Sequence, residues 1–76
     1  MEADNDIFAA VAQELRPLNT TKDIHDIIGI PESTLSEWRG SGIGPQWVKI
    51  GRRVMYPKEE IIACLRANLH TNREEY

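Results

Sequence analysis

Thr20-Thr21-Lys22-Asp23-Ile24-His25-Asp26-Ile27-Ile28-Gly29-Ile30-Pro31-Glu32-Ser33-Thr34-Leu35-Ser36-Glu37-Trp38 holds two short helices and the turn between them. The first helix begins after Thr20. Its hydroxyl can accept from the amide of Asp23 while the Asp23 carboxylate reaches back, a capping box with Asp in place of Glu. Ile24, Ile27 and Ile28 form the apolar face, and Gly29 stands where a helix-closing glycine belongs. Pro31 suits the first turn of the next helix, where its missing amide costs nothing. That helix turns Leu35 and Trp38 inward and ends at Gly40, Gly42 and Gly44.

Downstream, Trp47-Val48-Lys49-Ile50 and Val54-Met55-Tyr56 flank Gly51-Arg52-Arg53, which predicts a β-hairpin. Two registers compete. A two-residue Gly51-Arg52 turn pairs Ile50 with Arg53 and Lys49 with Val54, mixing charged and apolar residues on each face. A three-residue loop over 51–53 pairs Ile50 with Val54 and Val48 with Tyr56, giving one clean apolar face, and is the expected register. Pro57 then opens a helix with Glu59 and Glu60 in its first turn, where the helix dipole favours them, and with Ile61, Ile62, Leu65 and Leu69 as its buried stripe. Upstream, Ile7, Phe8, Val11 and Leu15 recur at helical spacing until Pro17.

These elements predict one mainly α domain over 1–76. It has an N-terminal helix at 5–16, a helix-turn-helix at 20–39, a β-hairpin wing at 47–56, a C-terminal helix at 57–69 and a flexible tail at 70–76. Two helices joined by Gly29-Ile30-Pro31, followed by a basic hairpin and a helix, describe a winged helix-turn-helix. A chain of 76 residues, 41% hydrophobic and 28% charged, is ordinary for a small folded domain with a modest core. No apolar run approaches the roughly 20 residues of a membrane span, and the first residues are acidic, so neither a membrane nor a secretory route is expected. Cytoplasmic residence is.

The net charge of −3 hides its distribution. Residues 1–37 carry −6 and residues 59–76 carry −2, whereas residues 38–58 carry +5 without one acid. A 21-residue acid-free window holding Arg39, Lys49, Arg52, Arg53 and Lys58 is an electrostatic footprint of the kind that meets nucleic acid.

Residues 20 to 69 resemble the MerR-like winged-helix family, and within it phage excisionases and AlpA-type regulators. The likeness is carried by Ser33-Thr34-Leu35 with Trp38, and by Val48-Lys49-Ile50-Gly51-Arg52-Arg53 followed by Tyr56. His25 stands where that family usually has alanine, and Pro31 where a capping serine is common. The resemblance implies that the second helix of the motif enters the major groove of double-stranded DNA while the wing tip meets the adjacent minor groove or backbone. It further implies copies of the protein on adjacent sites, bent DNA and a phage integrase as partner. A small transcriptional regulator and a phage packaging DNA-binding subunit share this architecture.

Leu35 and Trp38 point one way on the helical wheel, which leaves Ser33, Ser36 and Glu37 opposite. Serine donates or accepts at a base edge and Glu accepts from cytosine N4; the plainer alternative is a solvated helix face. Thr34 joins this set. Arg39, at the helix end, suits either a phosphate or the helix dipole. Arg52, Arg53 and Lys49 have no acid nearby in sequence and are expected on DNA. Thr20 is a cap that can also face a phosphate oxygen. Trp47 either covers the core edge or meets a partner, and in the latter case the chain would be a protein-interaction module with a vestigial wing. His25, Cys64 and His70 do not have metal-site spacing, and no nucleophile elbow, phosphate loop or carboxylate dyad is present. Neither enzymatic activity nor a cofactor or metal is expected.

Overall fold

The computed structural model describes residues 2–68, with side chains from Phe8 onward. In chain order the elements are α1 (Glu2–Glu14), β1 (Leu18–Asn19), α2 (Thr21–Ile28), α3 (Glu32–Ser41), β2 (Val48–Ile50), β3 (Arg53–Pro57) and α4 (Lys58–Ala67). The strands form one antiparallel sheet in the order β1-β3-β2. This is a winged helix-turn-helix with an added N-terminal helix. The expected tail at 70–76, and Leu69 of the expected stripe, lie outside the described residues.

α1 starts and stops earlier than the expected 5–16. It stops because Asn19 takes both main-chain groups of Arg16: Arg16 N–H donates to Asn19 Oδ1 at 2.9 Å, and Asn19 Nδ2 donates to the Arg16 carbonyl at 2.7 Å. Pro17 adds its own bias against a helical Arg16. The chain then pairs Leu18 with Pro57 and Asn19 with Tyr56, a third strand that two residues of sequence did not predict.

α2 has the expected ends. Asp23 N–H donates to Thr20 Oγ1 at 3.1 Å and Thr20 N–H to Asp23 Oδ2 at 3.0 Å. Gly29 closes the helix in the left-handed region at φ 96°, donating to the carbonyls of His25 and Ile24. His25 is exposed, with Nδ1 3.3 Å from the Ile30 carbonyl oxygen. Pro31 occupies the N-cap of α3 rather than its first turn, and the helix runs through Gly40 to Ser41 before Gly42 ends it. Gly44, at φ 83°, passes so close to Trp38 that a Cβ there would stand 2.5 Å from the indole.

The hairpin corrects the expected register. Ile50 pairs with Arg53, Lys49 with Val54 and Val48 with Met55, so the turn is the two residues Gly51-Arg52 and not a loop over 51–53. The clean apolar face was expected because one face of the hairpin was assumed buried. All three residues of β2 are exposed, so burial does not hold the register there. The turn decides instead: Gly51 has φ 63° and Arg52 does not have a positive φ, the pattern of a type II′ hairpin turn.

The core is Leu15, Ile24, Leu35, Tyr56 and Ile61, drawn from the residue that follows α1 and from α2, α3, β3 and α4 in turn. Val11, Ile27, Ile28, Trp38, Val54, Ile62 and Leu65 pack around it, half-buried. Each fully buried side chain contributes about 1.5–3 kcal/mol. Lys58 N–H donates to the Pro17 carbonyl at 3.0 Å, and Arg66 lies over the Phe8 ring at 4.7 Å, so α4 is fastened at its start to the segment between α1 and β1 and near its end to α1. The start of α4 therefore fixes β3, and with it the wing.

Candidate nucleic-acid interface

Burial of Leu35 and half-burial of Trp38 orient α3. Ser33, Ser36 and Glu37 are exposed on its other side, and Thr34 is half-buried on the flank. The exposed face offers two hydroxyls and one carboxylate, with no guanidinium or side-chain amide.

On the wing, Lys49, Arg52 and Arg53 are all exposed, and among the described residues none lies within ion-pair distance of a carboxylate. The observed register separates them. Paired residues share a face and successive ones alternate, so Lys49 lies with Val54 and Tyr56 while Arg53 lies with Ile50, Val48 and Met55. Ile50 and Val48 are 53% and 43% exposed, so this outer face is apolar beside its arginine.

Arg39 joins α3 to the wing. It is half-buried, its Nη1 donates to the Tyr56 hydroxyl oxygen at 2.7 Å, and its guanidinium carbon lies 5.9 Å from the centre of the Trp47 ring. Trp47 itself is 40% exposed. Beside Arg39 opens a cleft of about 410 Å³ lined by Thr20, Thr21, Lys22, Arg39, Arg53 and Val54. Thr20, Arg39 and Arg53 are thus brought together. Ser33, Thr34, Ser36, Glu37, Lys49 and Arg52 do not line this cleft. Lys22 is held by Asp26 at 3.0 Å, and that hydrogen bond raises its pKa above the ordinary lysine value. Both side chains are well exposed, so the pair contributes little to stability.

The family described as Helix-turn-helix domain matches residues 20–69, about two-thirds of the chain. The chain belongs to that family. No curated protein matches it. The matched segment of the helix-turn-helix domain begins at the α2 capping residue and leaves α1 outside. The family is a DNA-binding one, and DNA is the partner it implies. In helix-turn-helix domains generally it is the second helix of the motif that enters the major groove, and α3 holds that position in this chain's motif.

Thr21, Lys22, Trp47 and Tyr56 were not among the sequence-predicted contacts, yet each lines the cleft of this helix-turn-helix domain or holds Arg39. The signal for Tyr56 was its alternation with Val54 on one strand face, which puts its ring in the core and its hydroxyl at the α3 end. Among the described residues no three of His, Cys, Asp and Glu are placed to hold a metal ion. No described helix is long and apolar enough to cross a membrane.

Proposed function

We propose that this helix-turn-helix domain is an excisionase. Copies bind adjacent sites on double-stranded DNA, bend it, and direct an integrase toward excision. It binds and shapes DNA without catalysing a reaction. In each copy α3 occupies the major groove while Arg52 and Arg53 meet the neighbouring minor groove or backbone.

The observation that carries this reading is the composition of the exposed α3 face. Ser33, Ser36 and Glu37 include none of the Arg, Asn or Gln side chains that make strong bidentate base contacts. A face like that discriminates weakly, so site choice falls to neighbouring copies and to DNA deformability. The unneutralised wing cations support the backbone part of the reading, since affinity from phosphate contacts is independent of sequence.

Footprinting tests it. Protection is expected to spread over adjacent repeats in a cooperative step, and excision by a partner integrase in vitro is expected to require the protein. A single short site, bound tightly and selectively by one copy near a promoter, and no effect on excision, would identify a transcriptional regulator instead.

A further inference from the structure

Arg39 stands where three elements meet: the last turn of α3, Tyr56 in β3 and Trp47 just before β2. The Tyr56 ring belongs to the core and is 1% exposed, so its hydroxyl is a fixed point. A free arginine has many rotamers to lose when it binds a ligand. One already held by a buried hydroxyl and an indole has fewer, and such preorganisation strengthens binding without any new contact.

The place where Arg39 is held is a cationic cleft. β1 leaves β3 after the Asn19–Tyr56 pair, so Arg53 and Val54 have no strand beside them on that side. The start of α2 lies there instead, across the cleft lined by Arg39 and Arg53. The amides of Thr20 and Asp23 are taken by the capping box. Those of Thr21 and Lys22, in the first turn, have no intrahelical acceptor. Three acids beside the cleft are already engaged: Asp23 accepts from Thr20, Asp26 from Lys22 and Glu32 from the Thr21 hydroxyl. Among the described residues none of the three lies within ion-pair distance of Arg39 or Arg53.

We infer that the Tyr56 hydroxyl is a positioning group for DNA binding, holding the Arg39 guanidinium at this cleft, where Arg39 and Arg53 take one backbone phosphate of the duplex. This role rests on the domain binding double-stranded DNA.

A double-mutant cycle on binding to a mixed-sequence duplex, with thermal unfolding measured beside it, tests the role. Tyr56→Phe keeps the ring and removes the hydroxyl. It is expected to weaken binding by roughly tenfold, the scale of a hydrogen bond to a charged group. In an Arg39→Ala background the same change is expected to have almost no effect on binding. Equal losses in both backgrounds would overturn the role, because Tyr56 would then act through the core. Unchanged affinity in Tyr56→Phe would overturn it as well. Should Tyr56→Phe not fold, Arg39→Lys keeps the charge without the guanidinium geometry; full affinity in that variant overturns the role and a similar loss supports it. Wild-type protein that bound no duplex would remove the DNA-binding reading itself, a result distinct from an additive cycle.

Discussion

The side-chain amide of Asn19 donates to the main-chain carbonyl of Tyr56 across 3.2 Å, and Asn19 is wholly inaccessible to solvent. The same side chain also bonds both main-chain groups of Arg16. One polar residue thereby ends α1, pairs β1 with β3 and secures the strand that carries Tyr56. Asn19→Ala leaves the Arg16 amide and two carbonyls without these partners, and the expected loss is about 3 kcal/mol. Asn19→Asp is expected to cost more at neutral pH, since a carboxylate would face two carbonyl oxygens away from water. Urea unfolding checks both; a cost below about 1 kcal/mol would mean that water replaces the amide.

The helix-turn-helix was legible because its signals are local: Thr20 and Asp23 three residues apart, Gly29 at the closing position, Leu35 and Trp38 on one side of one helix. Two features escaped, for different reasons. β1 is two residues long and owes its place to a bond from Asn19 to a residue 37 positions away. The wing register escaped for a different reason. Apolar alternation fixes a register only where a face is buried, and β2 buries none, so the turn glycine prevailed. Arg39, Lys49, Arg52 and Arg53 were visible as the acid-free window, and Lys22 lies outside it. Their grouping was not, because the bond that brings Arg39 to the wing spans 17 positions.

Two glycines of the α3–wing segment differ in what a methyl group would meet. At Gly51, φ 63°, a Cβ finds open space, so Gly51→Ala carries only backbone strain of about 1–2 kcal/mol. At Gly44, φ 83°, the Cβ would also press on Trp38 from 2.5 Å. Strain and overpacking together are expected to cost about 3 kcal/mol or more. Thermal unfolding of the two variants ranks them; equal costs would mean that Trp38 moves aside freely.

Cys64 carries a pH dependence. Burial pushes its thiol above the ordinary value of 9.0, and the Asn68 amide 3.7 Å from the sulfur opposes this to a lesser extent. A raised value in the folded state means that the unfolded chain loses the proton first. The stability contributed is fully present below pH 9.0 and is lost as pH rises through the folded value. Wild-type stability is therefore expected to fall more steeply above pH 9.0 than that of Cys64→Ala. Alkylation at pH 8 is expected to be slower than for a free thiol. Parallel pH profiles for the two proteins would show that the thiol titrates as if exposed.

Arg52 and Arg53 separate binding from stability. Both are exposed and unpaired among the described residues, so Arg52→Ala and Arg53→Ala are expected to change stability by less than about 0.5 kcal/mol. Each is expected to reduce the slope of log K against log salt by about 0.9, the signature of one lost phosphate contact. Titrations at several salt concentrations, on cognate and mixed-sequence duplexes, measure this. Slopes unchanged in both variants would take the wing off the DNA.

Glu37 sets the balance between affinity and selectivity. It is an exposed carboxylate on the face of α3 assigned to the major groove, where phosphates repel it and a cytosine amine attracts it. Glu37→Gln removes the charge and keeps the shape. Binding to mixed-sequence duplex is expected to tighten about threefold, matching the roughly 0.6 kcal/mol repulsion of two unit charges about 7 Å apart in water. At the cognate site the same substitution removes a base contact, so the preference for that site is expected to narrow. Competition between the two duplexes reads both effects at once. A uniform change on both would assign Glu37 to the backbone field alone, and no change on either would place this face of α3 away from DNA.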